Sequence, residues 1–194
     1  MNPKLADERK FVGYLGECIA QLELAYEGLK TDRTAEGMVF DVVASNGATL
    51  EIKTSKPHTN KKSGGFLKKN GEKVDYFYKN WKFRISKEQD WIDFYVLVAL
   101  DEDNTYLCSF IIPNKDRTNR GQLIAISENA LTGNYKTRHS SQTKLRPSKW
   151  DKYKNNWKSI RDYRKNWASD HQGETQGLDQ NLTNAPGDLL DIRA

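Results

Sequence analysis

The sequence is poor in the residues that mark several common classes of protein. Its two cysteines, Cys18 and Cys108, lie in apolar segments and read as small core residues rather than as a disulfide. Its three histidines, His58, His139 and His171, lack zinc-binding spacing, and no His-Asn-His pattern occurs. A phosphate-binding glycine loop and a nucleophile elbow are also lacking, which argues against nucleotide hydrolases and acyl-transfer enzymes.

Long apolar runs are lacking as well. No run approaches the length of a membrane span, and no signal peptide opens the chain, so we expect a cytoplasmic protein with no membrane partner. The 194 residues suffice for one ordinary domain with appendages. A net charge of +5 favours a polyanionic partner, although many basic proteins bind none.

Two apolar segments around a turn signal form the most informative part of the chain. Residues 38–44 and 48–54 read as strands, and Ser45-Asn46-Gly47 joins them as a hairpin. Glu51 and Lys53 are two apart on the second strand, so their side chains leave from the same face.

The length of the turn decides whether Asp41 shares that face. If Asn46-Gly47 forms a two-residue loop, Asp41 pairs with Ile52 and lies on the opposite side. If the loop has three residues and Gly47 is left-handed, Asp41 lies directly opposite Glu51. Opposed side chains have Cβ atoms about 4.5–5.5 Å apart, a distance at which two carboxylates can share one cation.

Two facing carboxylates on an apolar hairpin repel each other and need compensation. Asp41 and Glu51 could instead be ordinary edge residues, with Lys53 a surface charge, but apolar residues on both sides of Asp41 favour a buried pair. Hard oxygen ligands with open positions suit Mg²⁺, for which Mn²⁺ can substitute. Lys53 would then stabilise negative charge on a phosphate or orient the attacking water.

A helix is predicted over residues 6–29. Its apolar stripe comprises Phe11, Leu15, Cys18, Ile19, Leu22, Ala25, Tyr26 and Leu29. Glu17 lies at the edge of the stripe, and Gly13 leaves room beside it one turn away. From the helix alone, a solvated glutamate is as plausible as a ligand. Together with the hairpin, Glu17 is favoured as a third acidic ligand.

A helix with Glu17 is followed by the segment 37–44 with Asp41 and then by Glu51-Ile52-Lys53-Thr54-Ser55. This order of elements resembles the PD-(D/E)xK nuclease superfamily. Phe40 stands where the motif of that superfamily has proline. The resemblance covers about residues 8–130, and it is closest to a branch of small nucleases with homing endonucleases and archaeal Holliday-junction resolvases.

This resemblance implies an α/β fold of the restriction-endonuclease-like type, a mixed sheet of four to five strands flanked by an N-terminal helix and C-terminal helices. It also implies site roles: Asp41 and Glu51 as metal ligands, Lys53 as the catalytic lysine and Glu17 as the auxiliary acid.

Lysines crowd the segment that follows the second hairpin strand. Residues 56–73 are predicted to form a loop, which either clamps phosphates or is merely solvated. Its candidate DNA-binding residues are Lys56, Lys61, Lys62, Lys68 and Lys69. Strands are expected over 74–85, 91–100 and 105–112, with 93–100 central and covered on both faces. A short helix is expected over 124–131.

The carboxy-terminal part changes character. A basic, aromatic-rich extension over 135–168 is predicted to include a helix that starts near Ser148. Its stripe of Trp150, Tyr153, Trp157, Ile160 and Trp167 is favoured to pack onto the sheet rather than to stack on bases. The exposed basic face would contact the DNA backbone through Lys152, Arg161 and Arg164. Residues 169–194 read as a flexible acidic tail beyond a nuclease core over 1–134.

These patterns predict a metal-dependent endonuclease that hydrolyses DNA phosphodiester bonds. Mg²⁺ would be held by Asp41, Glu51 and the Ile52 carbonyl, with Glu17 assisting. Cleavage of both strands would need a homodimer or a higher homo-oligomer. The alternative is a non-catalytic DNA-binding or protein-interaction module on the same scaffold, and an RNA-directed nuclease is compatible with the same residues.

Overall fold

The structure, a computed structural model, describes residues 3–35, 37–85, 91–116, 122–133 and 148–164. Within these residues the helices are α1 (Pro3–Tyr26), α2 (Glu128–Thr132) and α3 (Lys158–Arg161), with 3-10 turns at Asn114–Asp116 and Asp151–Tyr153. The strands are β1 (Thr31–Arg33), β2 (Val42–Ala44), β3 (Thr49–Ser55), β4 (Pro57–Leu67), β5 (Lys73–Ile85), β6 (Phe94–Leu100), β7 (Tyr106–Pro113) and β8 (Gln122–Ser127). No helix among the described residues has both the length and the apolar character to cross a membrane.

The described strands form two sheets. The larger runs in the order β1-β2-β3-β6-β7, and the smaller in the order β4-β5-β8. Strands β3 and β6 are parallel, and the remaining neighbours in these described sheets are antiparallel. The predicted α/β architecture, an N-terminal helix with a mixed sheet of four to five strands, is therefore confirmed in these general terms.

Strand β6 is covered on both faces, as its continuous apolar sequence predicts. All its residues are buried. Val96 packs with Ile52 in a core on the α1 side of the sheet. Leu97 packs with Phe83 in a second core that involves the smaller sheet. Successive side chains of a strand leave from opposite faces, so one apolar strand supplies both cores.

The side of helix α1 that packs on the sheet overlaps the predicted stripe only in part, through residues such as Leu15 and Ile19. The existence of the helix is confirmed, but Phe11, Leu22 and Tyr26 from the predicted stripe are exposed. The residues that pack on the sheet are Val12, Leu15, Ile19, Ala20 and Leu24. Apolar residues occupy more than one side of this helix, and the small residues of the packed side let it approach β3 closely. Periodicity alone could not select that side.

The segment 56–73, predicted as a loop, is mostly strand, so that prediction is wrong. Residues Pro57–Leu67 form β4, which pairs with β5 as a long antiparallel ribbon. This ribbon, not a helix, connects the parallel strands β3 and β6. Most described side chains of β4 are polar and exposed, so apolar periodicity gave no signal of it. The strands predicted over 74–85, 91–100 and 105–112 are confirmed as β5, β6 and β7 with shifted ends.

Residues 124–131, predicted as one short helix, divide into the end of β8 and most of α2. The first half is a strand because Ile124 and Ile126 alternate inward and pair with Phe83 and Trp81 of β5. The helix begins only after Ser127 and ends at Gly133, whose φ of 74° is left-handed.

The predicted carboxy-terminal helix is replaced by a 3-10 turn and the single turn α3. Asn155 has a φ of 48°, which interrupts any continuous helix, and its side chain accepts a hydrogen bond from the Ser109 N–H (2.8 Å). Packing onto the sheet is confirmed, because Trp157 and Ile160 are buried in the α1-side core. Trp167, the predicted boundary near residue 134 and the acidic tail 169–194 lie outside the described residues.

Candidate functional site

The hairpin of β2 and β3 has a three-residue turn. Val42 pairs with Leu50, and the Ala44 N–H donates to the Ala48 carbonyl at 2.9 Å. Gly47 has a φ of 86°, a left-handed conformation that favours glycine. The second alternative raised by the sequence is thus confirmed. The strand over 38–44 is shorter than predicted, since β2 begins only at Val42.

Asp41 lies immediately before β2 and is held against β3 by two hydrogen bonds. Its N–H donates to the Leu50 carbonyl (2.9 Å), and its Oδ2 accepts from the Ile52 N–H (2.7 Å). The paired register ends at Val42 and Leu50, so the position of Asp41 is set by these two hydrogen bonds rather than by strand pairing with Glu51. The carboxylate of Asp41 is therefore fixed beside the stretch of β3 that carries Glu51 and Lys53.

Glu51 is a buried carboxylate, with only 7 % of the residue exposed. It forms an ion pair with the ammonium of Lys53, which lies two residues along the same strand. Burial raises the pKa of Glu51, Lys53 opposes that shift, and the charges of Asp41 and Glu17 add to it. The net direction is upward, and the predicted carboxylates therefore share one electrostatic environment.

Glu17 reaches this region from α1, because Gly16 lets the helix approach Thr54 of β3 closely. Its carboxylate forms an ion pair with Arg33 of β1, whose guanidinium also lies 4.9 Å from the centre of the Tyr14 ring. Arg33 was not identified from the sequence. Strand β1 has only three residues, and its contact with α1 arises from tertiary packing, so no local pattern could have indicated it.

A cavity of about 620 Å³ lies at this site, a volume typical of ligand-binding clefts. Of the predicted site residues, Glu17, Asp41, Ile52 and Lys53 line it, together with Lys56, His58 and Lys82, whereas the buried Glu51 does not. His58 and Lys82 were not predicted as site residues. They come from β4 and β5, and the pairing of these strands brings them to the cavity. The cavity thus combines carboxylates with several cationic side chains.

Among the described residues, no group of three or more His, Cys, Asp or Glu side chains is arranged to hold a metal ion. Glu17 and Asp41 line the same cavity, and their charges act on Glu51. However, each predicted ligand has a protein partner: Lys53 for Glu51, Arg33 for Glu17 and the Ile52 N–H for Asp41. The donor set is nevertheless of the hard-oxygen type that suits Mg²⁺.

The predicted DNA-binding residues do not form one surface of unpaired charges. Lys56 lines the cavity, 3.8 Å from the Glu8 carboxylate. The other ion pairs are Lys61 with Asp75 (2.6 Å), Lys68 with Glu72 (2.9 Å), Lys152 with Asp116 (3.4 Å), and Arg161 with Glu27 (2.9 Å) and Asp162 (2.9 Å). Lys62, Lys69 and Arg164 are exposed. Exposed pairs of this kind contribute little to stability and can be exchanged for contacts with a polyanion.

No protein-family model matches the chain, and no curated protein matches it. The functional interpretation therefore depends on the geometry of the site and on the motif.

Proposed function

We propose that this protein is a metal-dependent DNA endonuclease with a restriction-endonuclease-like fold. The observation that carries the proposal is the fixed position of Asp41, whose carboxylate accepts from the Ile52 N–H between Glu51 and Lys53. Together with Glu17 on the same cavity, this arrangement supplies the acidic and basic groups that hydrolysis of a phosphodiester requires. The protein would act on DNA in the cytoplasm as a homodimer or higher homo-oligomer.

The residues divide into metal-holding and phosphate-facing groups. Asp41, Glu51 and the Ile52 carbonyl would hold Mg²⁺ or Mn²⁺, and Glu17 would assist them. A bound cation of this kind polarises a phosphate and lowers the pKa of a bound water. The Lys53 side chain is 34 % exposed beside the cavity, so its ammonium can also approach a phosphate oxygen and stabilise negative charge there.

The raised pKa of Glu51 supports this assignment. Its causes include burial and the neighbouring carboxylates Asp41 and Glu17, and a divalent cation offsets each of them.

A non-catalytic DNA-binding or protein-interaction module is the second candidate. It is favoured by the ion pairs of Lys53 with Glu51 and of Arg33 with Glu17, which neutralise two predicted ligands without a metal. In that case the carboxylates stabilise the fold, and the chain would bind DNA without cutting it.

A cleavage assay separates the two candidates. The protein is incubated with linear duplex, branched junction and single-stranded DNA, in Mg²⁺ and in EDTA. We expect cleavage of at least one substrate in Mg²⁺ and none in EDTA. If no DNA substrate is cut in Mg²⁺ or Mn²⁺, the endonuclease proposal is wrong and the binding module is preferred; an RNA substrate would then test the remaining nuclease class.

Replacing Lys53 with alanine tests the site itself. Loss of a group that stabilises developing charge lowers the rate of cleavage by about 10²–10³-fold, whereas DNA affinity should change little. Lys79→Ala is the matched control, because Lys79 forms an exposed ion pair with Glu102 (2.5 Å) and does not line the cavity. Cleavage of a plasmid by Lys53→Ala at the wild-type rate would refute the role of this residue.

A further inference from the structure

The ribbon of β4 and β5 has two chemically different faces. Paired residues of an antiparallel ribbon share a face, and Asn60 pairs with Tyr78 while Lys62 pairs with Tyr76. Lys82 lies on the same side, because it is four positions from Tyr78 and six from Tyr76 along β5. We call these five residues the outer face of the ribbon. The opposite side leads into the core through Trp81, Phe83 and Ile85.

Charge is segregated between the two faces. Asp75 is the single acidic residue in the sequences of these two strands, and it lies on the opposite face, where it pairs with Lys61 at 2.6 Å. Lys79 on that face is paired with Glu102. The outer face carries Lys62 and Lys82 with no carboxylate from either strand. This distribution suits a polyanion on the outer face.

The outer face is continuous with the candidate active site. Lys82 lines the cavity, and its ammonium donates to Asn60 Oδ1 at 3.3 Å. A strand rises about 3.3 Å per residue, so Tyr76 lies about 20 Å along β5 from Lys82. Duplex DNA advances about 3.4 Å per base pair, and the outer face therefore corresponds to about six base pairs.

The two tyrosines are better suited to groove contacts than to intercalation. Their ring centres lie 5.8 Å apart with planes inclined by 17°, which is within the range of direct aromatic contact. A base therefore has no room between them. Tyr76 is 38 % and Tyr78 39 % exposed, so both retain accessible surface on the ribbon.

We propose that the outer face of the β4–β5 ribbon lies in the major groove of duplex DNA next to the cleaved phosphate. A two-stranded ribbon fits the width of that groove, where lysine and polar side chains contact base edges. The two tyrosines make these contacts, Lys62 contacts a backbone phosphate, and Lys82 and Asn60 connect them to the cavity. This inference rests on the proposed function, because it assigns the substrate of that site as a duplex and the direction in which it runs.

Binding is measured by fluorescence anisotropy on a 30-base-pair duplex and on the corresponding single strand, in EDTA, so that cleavage is not required. Tyr76→Ala combined with Tyr78→Ala should weaken duplex binding about tenfold or more. Phe77→Ala is the matched control, since Phe77 is 62 % exposed on the same strand but belongs to the opposite face. It should stay within about twofold of wild type.

A second pair of variants does not alter aromatic packing. Lys62→Ala should reduce the magnitude of the slope of log affinity against log salt concentration by about one, which corresponds to the loss of one phosphate contact. Lys61→Ala should change the slope less, because Lys61 is paired with Asp75. Protection of guanine N7 from methylation should extend about six base pairs to one side of the cut, and the double tyrosine variant should lose it.

Equal losses from Phe77→Ala and from the tyrosine variant would overturn the inference, as would unchanged duplex binding by the tyrosine variant. Tighter binding of the single strand, weakened by the tyrosine substitutions, would overturn it in favour of base stacking. These outcomes differ from failure of the proposed function. If the tyrosine variant binds and cleaves DNA normally, the proposed endonuclease function stands and the proposed role of the ribbon is wrong. If duplex binding depends on the tyrosines but no DNA is cleaved, the role of the ribbon stands and the endonuclease function is wrong.

Discussion

Gly16 is where α1 comes close to β3, and replacing it with alanine tests how the helix holds Glu17 beside the sheet. A Cβ at Gly16 would overlap Thr54 Oγ1 and lie 2.9 Å from Thr54 Cβ. Rotation of the Thr54 side chain can relieve the first contact. It cannot relieve the second, because Cβ does not move with χ1. The helix and the strand must therefore separate.

The expected magnitude combines two opposing effects. Forcing an extra methyl into a packed contact costs about 1–3 kcal/mol, and the short distance to Thr54 Cβ places this case at the upper end. Alanine in a helix interior is favoured over glycine by about 1 kcal/mol. We therefore expect Gly16→Ala to lower the free energy of unfolding by about 2 kcal/mol.

Urea unfolding followed by circular dichroism measures this change. Gly13→Ala is the matched control: Gly13 lies in the same helix, and a Cβ there would meet nothing within 4 Å. That variant should gain up to about 1 kcal/mol. Thr54→Gly removes the obstructing Cβ together with the two outer atoms, so Gly16→Ala should cost less in its presence.

Gly16→Ala should also lower cleavage, because it shifts the neighbouring Glu17 away from the cavity. A Gly16→Ala protein as stable as Gly13→Ala would refute the close approach of α1 to β3. Additive effects of Gly16→Ala and Thr54→Gly would show that these two residues do not contact each other.

Two further predictions concern the site carboxylate and the hairpin turn. The pKa of Glu51 is raised in the folded protein above its ordinary value of 4.5, so the folded protein binds more protons than the unfolded chain. The stability that Glu51 contributes is therefore present below pH 4.5 and is lost as the pH rises from there through the pKa of the folded state. In urea titrations across this pH range, the free energy of unfolding of Glu51→Gln should increase relative to that of the wild type as the pH rises. A difference in free energy that stays constant with pH would contradict the raised pKa. Asn46→Ala should cost about 1–3 kcal/mol, because the amide donates to the carbonyls of Ile160 (2.6 Å) and Tyr163 (3.2 Å). Faster amide exchange around Ile160 should accompany that loss, and unchanged exchange would show that the contact does not hold α3.

Local patterns predicted the part of the site that depends on neighbouring residues. The hairpin followed from Ser45-Asn46-Gly47, with two turn lengths left open, and the alternation of β3 placed Glu51 and Lys53 on one face for either length. The burial of β6 followed from its continuous apolar sequence. In each case the deciding interactions lie within a few residues along the chain, or depend only on apolar character.

Other features depended on partners that are remote in the sequence. The stripe of Trp150, Tyr153 and Trp157 has helical spacing, but the chain there is interrupted at Asn155, which bonds to Ser109 of β7. The strand β4 exists because β5 supplies its hydrogen bonds, and its own side chains carry no apolar signal.

The sequence by itself determined that a hairpin forms around Ser45-Asn46-Gly47, which residues of β3 share a face and which strand is central, because backbone geometry and side-chain alternation act locally. It left two turn lengths open, and the structure selected the three-residue turn. Only the tertiary structure decided which side of α1 packs on the sheet, which cations pair with Glu17 and Glu51, and how the ribbon brings Lys82 to the cavity. These outcomes depend on the competition among long-range contacts for the same surfaces, and that competition is settled only when the whole chain is packed.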